Sequence, residues 1–201
     1  MEEIKPALWT WTAPHPEWTP EAEGWEREVR SYAYDTRDSL VLFDPLVSVE
    51  DVEELSHRRS VAVILSCRWH VRSSADLVDR LGATVHAPAA TIAELGLDAV
   101  PYELGEDLPG DVEPQTGGYS DEATLWLREH AALVTGDVFL GGEEGFCVQP
   151  DSWLTEGMSH EELRDRLRPL LELPIEMLLP THGNPILEGA HATLERALDE
   201  T

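Results

Sequence analysis

The chain has 201 residues, enough to bury a substantial core, and 42% of them are hydrophobic, as in a globular protein. Its 40 acidic residues against 14 basic ones give a formal net charge of −26, which opposes binding to a nucleic-acid backbone or an anionic membrane surface. No segment reads as a membrane span, and Met1-Glu-Glu-Ile-Lys-Pro6 lacks the basic region and apolar run of a signal peptide, so a cytoplasmic protein with one domain over 1–201 is expected.

The first half reads as β structure. Ala7–Thr12, Val29–Tyr34 and Ser39–Phe43 carry the β-branched and aromatic residues that strands favour, and Asp35-Thr-Arg-Asp38 suits a hairpin connection. Between the first two lies a loop with Pro14, Pro16 and Pro20, which cannot hold regular structure for long and carries His15 and Trp18. After Asp44-Pro45 the pattern changes to strands alternating with helices. Ser48-x-x-Asp51, Ser73-x-x-Asp76, Thr91-x-x-Glu94 and Ser159-x-x-Glu162 each place a cap-type residue and an acid where a helix would begin, and Gly82 and Gly96 suit helix ends. Val61–Ser66, Ala123–Leu127, Ala132–Thr135 and Ile175–Leu179 read as strands, Gly145–Val148 as loop. Leu163, Leu167, Leu170 and Leu171 share one face of an amphipathic helix, and Gly189–Leu198 is a terminal helix.

Three strands end in residues that bind metals. Leu133-Val-Thr-Gly136-Asp137 delivers an aspartate, Leu179-Pro-Thr-His182-Gly183 a histidine, and Val61–Ser66 empties into Cys67-Arg-Trp-His70-Val-Arg72. A sheet can assemble a metal site from such distant parts of a chain, because it holds the backbone while the loops supply ligands. Gly136 and Gly183 allow close backbone approach beside these two residues. Cys67 and Cys147 are expected as reduced thiols, Cys147 packed. Cys67-x-x-His70 also suggests a thiol nucleophile beside an imidazole.

In their order and spacing these elements resemble the metallo-β-lactamase fold family, over roughly Leu8 to Leu198. Val41-Leu-Phe-Asp44-Pro45 is similar to the family's strand ending in Asp. Gly82–Ala87 is similar to the short strand after its first helix, Leu133–Asp137 to the strand delivering a metal-bridging Asp, and Pro180-Thr-His182-Gly183 to the strand delivering the last His ligand. The resemblance implies an α/β, four-layer αββα sandwich with one or two metals, usually zinc, iron or manganese, on the edge where the sheets meet.

The chain departs from that family in its first motif. The family's His-x-His-x-Asp-His falls in an ungapped reading on Cys67, Trp69, Val71 and Arg72, and His70 takes a ligand's place only if the loop shifts by one residue. The next family ligand falls near Gly117-Gly118-Tyr119, where no histidine stands. The expectation is a hydrolase of unknown substrate with at most one zinc, iron or manganese ion, held by His70, Asp137 and His182 with Cys67 as a fourth ligand. Asp137 and Asp44 are then the catalytic pair, Asp44 bracing the site from behind. The competing expectation is a non-catalytic fold that has lost its metal, with Arg72 in the cation's space and paired to Asp137, binding a small molecule or a protein partner. His15, Trp18, Trp69 and Arg72 are the candidate pocket residues. Trp9, Trp11 and Trp25 would line either a homo-oligomer interface or the core.

Overall fold

The computed structural model describes residues 1–21, 26–142 and 145–199. A seven-stranded sheet runs in chain order through β1 (Glu2–Lys5), β2 (Leu8–Pro14), β3 (Glu28–Asp35), β4 (Ser39–Phe43), β5 (Ser60–Ile64), β6 (Thr84–Pro88) and β7 (Val100–Tyr102). Its first four strands pair antiparallel and its last four parallel. The parallel half is built by crossovers: α1 (Val49–Ser56) joins β4 to β5, and α2 (Ser74–Leu81) joins β5 to β6.

The remaining strands are β8 (Val112–Thr116), β9 (Ala123–Leu127), β10 (Ala132–Val134), β11 (Phe139–Gly142), β12 (Gly145–Val148) and β13 (Met177–Leu179), with α3 (His160–Leu167) and α4 (Ala190–Asp199) packed against them. Four of these strands form a second sheet in the order β13-β10-β9-β8, where β13 runs parallel to β10 and β9 antiparallel to it. β11 and β12 form a separate hairpin. The segment read as loop at Gly145–Val148 is therefore a strand, because Phe139, Phe146 and Val148 turn inward onto the core behind the second sheet.

Three apolar layers hold the sandwich together. The central one lies between the sheets, where Leu8, Tyr32, Val41, Phe43 and Ile64 meet Val112, Leu125, Val134 and Leu179. Leu40, Leu42, Val63 and Leu65 face the opposite way, onto Val52 and Leu77 of the first helix pair. Leu133 and Leu178 face Leu163, Leu167 and Leu194 of the second pair. The alternation of strand side chains produces this arrangement: neighbouring residues of a doubly covered strand serve two different cores, so the strand sequence is apolar throughout. The helix–sheet–sheet–helix order is the expected αββα sandwich. Exposed ion pairs such as Arg80–Glu50 and Arg128–Asp107 are screened by water and salt, so the apolar layers carry the fold.

The helix signals have mixed outcomes. Ser48 and Ser159 accept the N–H of Asp51 and Glu162, as caps do. Ser73 precedes α2 but spends its hydroxyl on the N–H of Val47, and Thr91 lies inside a short 3-10 turn and donates to the carbonyl of Pro88. In both, a neighbouring loop competes for the hydroxyl. Cys147 is exposed, since its strand alternates and its neighbours Phe146 and Val148 take the inward positions. Trp9 and Trp11 pack against the core of the first helix layer, and Trp11 donates its indole N–H to the carbonyl of Leu46; Trp25 lies outside the described residues. No described helix is long and apolar enough to cross a membrane.

The two sheets are stitched at one corner. The N–H of Arg30 donates to Thr181, its Nε donates to the carbonyl of Gly183, and the N–H of Gly141 donates to His182. A Cβ at Gly183, whose φ is 92°, would stand 1.4 Å from the carbonyl oxygen of Gly141. Backbone on both sides leaves nothing that can give way. Gly183→Ala is therefore expected to lower the melting temperature by about 6 to 12 °C or to abolish soluble expression, an order of loss set by ~3 kcal/mol of strain in a domain of this size. A thermal melt of the variant beside Gly189→Ala, where a Cβ meets nothing, separates the close contact from the cost of a positive φ alone.

Candidate metal centre

The topology sends several strand ends to one edge. Parallel pairing puts the C-terminal ends of β4 and β5 side by side, and likewise those of β10 and β13, while antiparallel β9 brings its N-terminal end to the same place. Asp44 follows β4, Cys67 and His70 follow β5, Glu122 precedes β9, Asp137 follows β10 and His182 follows β13. Five distant segments thus meet at one point.

Asp137 is the hub. Its Oδ1 lies 2.9 Å from Nε2 of His70 and 3.1 Å from Nε2 of His182. Cys67, His70 and Asp137 each offer a ligand atom within 4.8 Å of the others. His70 reaches the site through a 3-10 turn over Arg68–His70, and the three-residue repeat of that turn sets Cys67 and His70 on the same side. This is how the loop makes up for its shifted histidine.

Behind His70 stands a buried support. Its Nδ1 lies 3.0 Å from the hydroxyl of Ser66 and 3.1 Å from Oδ2 of Asp44. The Asp44 carboxylate also accepts the N–H and the hydroxyl of Ser66, at 2.8 and 2.7 Å. A carboxylate fastened to one ring nitrogen orients the other toward the site, which is the usual second layer of a metal-binding histidine.

Glu122 was not legible as a site residue. Its Oε1 accepts the N–H groups of Asp137 and Val138, both at 2.8 Å, and so holds the turn that presents Asp137. Gly136 is tied to the same contact: a Cβ there would lie 2.9 Å from that oxygen and 3.0 Å from the Ser66 hydroxyl. An acid immediately before an apolar strand was the available signal, just beyond the stretch where a histidine is missing.

A cavity of about 430 Å³ opens over this cluster. His15, Trp69 and Arg72 line it, and so do Tyr119, Gln149 and Trp153, which the sequence did not single out. Trp153 meets the His182 ring edge-on, with centroids 5.9 Å apart. Trp69 is 68% exposed at the rim, with the Arg68 guanidinium over its ring. Trp18 is not among the lining residues. Arg72 does not stand in for a cation beside Asp137: its Nη1 donates to the carbonyls of Asp44 and Arg30, and no Arg72–Asp137 pair exists among the described residues. The two histidines already occupy the space before Asp137 that the guanidinium would need.

Charge is balanced within a small volume. Burial alone would raise the Asp137 carboxyl, but His70 and His182 outweigh it and hold it well below the usual carboxylate range. Burial and Arg72 press His70 toward neutrality, and the carboxylates of Asp137 and Asp44 overcome them and hold it well above an ordinary imidazole. Burial pushes the Cys67 thiol up to about 11. It therefore stays protonated at neutral pH in the absence of an ion, which removes the thiolate that a Cys67–His70 nucleophile needs.

The donor set fits a metal. Thiolate, imidazole and carboxylate are the ligands of zinc and its neighbours, and donors sharing a tetrahedral ion stand about 3.3 Å apart, close to the two observed separations around Asp137. Cys67, His70 and Asp137 are the group close enough to share an ion, and His182 joins them through its contact with Asp137.

Solved structures with this architecture are numerous. A metallo-beta-lactamase family protein from Thermus thermophilus superposes with a TM-score of 0.68 at 17% identity, over 98% of this chain and 78% of that one. TTHA1623, solved in a di-iron-bound form, gives 0.64 at 23% identity over 85% and 93%, and TMB-1 gives 0.73 at 15% over 98% and 94%. No family model and no curated protein matches the sequence. The chain has the metallo-β-lactamase fold.

Burial, then the charge of Asp137, raises Glu122 to about 8 from an ordinary 4.5. A carboxyl raised by folding contributes stability that is present in full below its unfolded value and lost as pH climbs through its folded one. In chelator-treated protein, Glu122→Gln should thus gain stability relative to the native chain as pH rises from about 5 to 8. Urea unfolding of both at several pH values tests this, and a difference constant with pH would show that Glu122 is not buried as described.

Proposed function

We propose that the protein is a hydrolase working with a single metal ion, held by His70, Asp137 and His182 with Cys67 as the fourth ligand. The observation that carries this reading is the convergence of two histidine Nε2 atoms on one oxygen of Asp137, with Nδ1 of His70 fastened from behind. A bound ion would polarise a carbonyl or phosphoryl group and acidify water. Everything else is done by the chain. Asp44 and Ser66 fix the tautomer and direction of His70, and Glu122 fixes the turn of Asp137. Arg72, Tyr119, Trp153 and Trp69 surround the space a substrate would fill. Esters, thioesters, lactones and phosphoesters are the candidate substrates, since each is opened by attack of water at a polarised centre.

One observation favours a second reading. His70 stands between Asp44 and Asp137, 3.1 and 2.9 Å from their oxygens, so its imidazolium can pair with both without an ion. Under that reading the cavity binds a small molecule or partner and turns nothing over.

Metal content per chain decides between them. Protein purified without chelator, then loaded with zinc, iron or manganese and desalted, should retain about one equivalent, and chelation should lower its melting temperature by several degrees. Asp137→Ala should retain none and lose at least a thousandfold in kcat/KM on any substrate found, about 4 kcal/mol of barrier. Zero retention under every loading, with an unchanged melt, would leave the second reading.

A further inference from the structure

Arg72 is the cavity residue that holding an ion does not explain. It adopts a left-handed backbone with φ 41°, uncommon for a long side chain and maintained by its surroundings. Nη1 is fastened to the Asp44 carbonyl at 2.7 Å and the Arg30 carbonyl at 3.4 Å. Nε is buried with no hydrogen-bond partner. Nη2 makes no hydrogen bond among the described residues, and Arg72, half-buried, lines the cavity. Of the two arginines that line this cavity, Arg68 is paired with Glu94, and Arg72 has no carboxylate partner among the described residues.

A fixed, unpaired cation facing a cavity lined by aromatic rings is how a protein recognises an anionic group on an otherwise apolar molecule. The acids of the same cavity, Glu17, Asp121 and Asp137, limit the charge of that group. A dianionic phosphate would meet several like charges, whereas a monoanionic carboxylate meets the guanidinium with less repulsion.

We infer that Arg72 is the anion anchor of this cavity and that the ligand bound there is a small carboxylate-bearing molecule whose apolar part lies against Trp153. That this ligand is also the substrate rests on the hydrolase reading above; the anchor itself does not. For a substrate, the inference means an ester, thioester or lactone with a free carboxylate on its acyl side.

The test uses glutarate, which has no bond to hydrolyse, and its neutral isostere glutaramide. Both are titrated by calorimetry into the full-length chain, once with zinc loaded and once after chelation. Saturable glutarate binding that survives chelation, with glutaramide at least tenfold weaker, is expected. Arg72→Met should weaken glutarate about tenfold and Arg72→Lys less, with the melting temperature of each variant measured alongside. Equal binding of the two ligands overturns the anchor without recourse to any variant, and so does glutarate binding that disappears on chelation, since the anion would then sit on the ion. A second comparison separates this from the hydrolase reading. If glutarate needs Arg72 but no ester is hydrolysed, the anchor stands and the hydrolase falls. If glutaryl and butyryl esters are hydrolysed with equal kcat/KM and glutarate does not bind, the hydrolase stands and the anchor falls.

Discussion

A carboxylate set at the junction of two sheets must be neutralised, and most of this site follows from how Asp137 is. Its negative charge lies 2.9 and 3.1 Å from two imidazoles supplied by different sheets. Desolvating an unpaired charge costs several kcal/mol, so the two sheets meet favourably only in a register that brings His70 and His182 to it. The apolar layer between the sheets supplies the driving force for stacking. The charges at the edge specify where the stacking stops.

The same edge concentrates unusual backbone. Asp44 and Arg72 both have positive φ without being glycine, at 46° and 41°, and Arg72 donates to the Asp44 carbonyl. Asp44 in turn carries Ser66, which with it holds His70. Strain at these two positions is thus absorbed by one hydrogen-bonded chain that runs from the cavity wall to the candidate ligand His70. Such positions persist only where the surroundings over-determine them, and here a buried carboxylate and a fixed guanidinium do so together. Arg30 does comparable work across the sheets by anchoring the loop that carries His182.

Electrostatics differ sharply between the surface and the site. The net charge of −26 is spread over exposed carboxylates, where water and salt screen each one. In the cavity a few groups of both signs face one another at short range, and burial amplifies every interaction. Glu122, raised to about 8, and Cys67, raised to about 11, show how far ordinary acids are moved there.

The sequence by itself determined the layered α/β architecture and two of the site's residues as candidates, because apolar strands ending in Asp137 and His182 write both a buried element and its terminus into consecutive residues. Asp44 was legible for the same reason. It could not determine Glu122, Tyr119 or Trp153, whose relevance comes from contacts with residues far along the chain or across the cavity. Nor could it decide between His70 and Arg72 for the space before Asp137. Spacing along the loop left both open, and the choice was made by a single 3-10 turn that swings Cys67 and His70 to one side and sends Arg72 toward the carbonyls of Asp44 and Arg30. Local patterns record which residues are buried and where strands end. Which side chains then share a few ångströms depends on the register of two sheets, and that is a property of the folded chain alone.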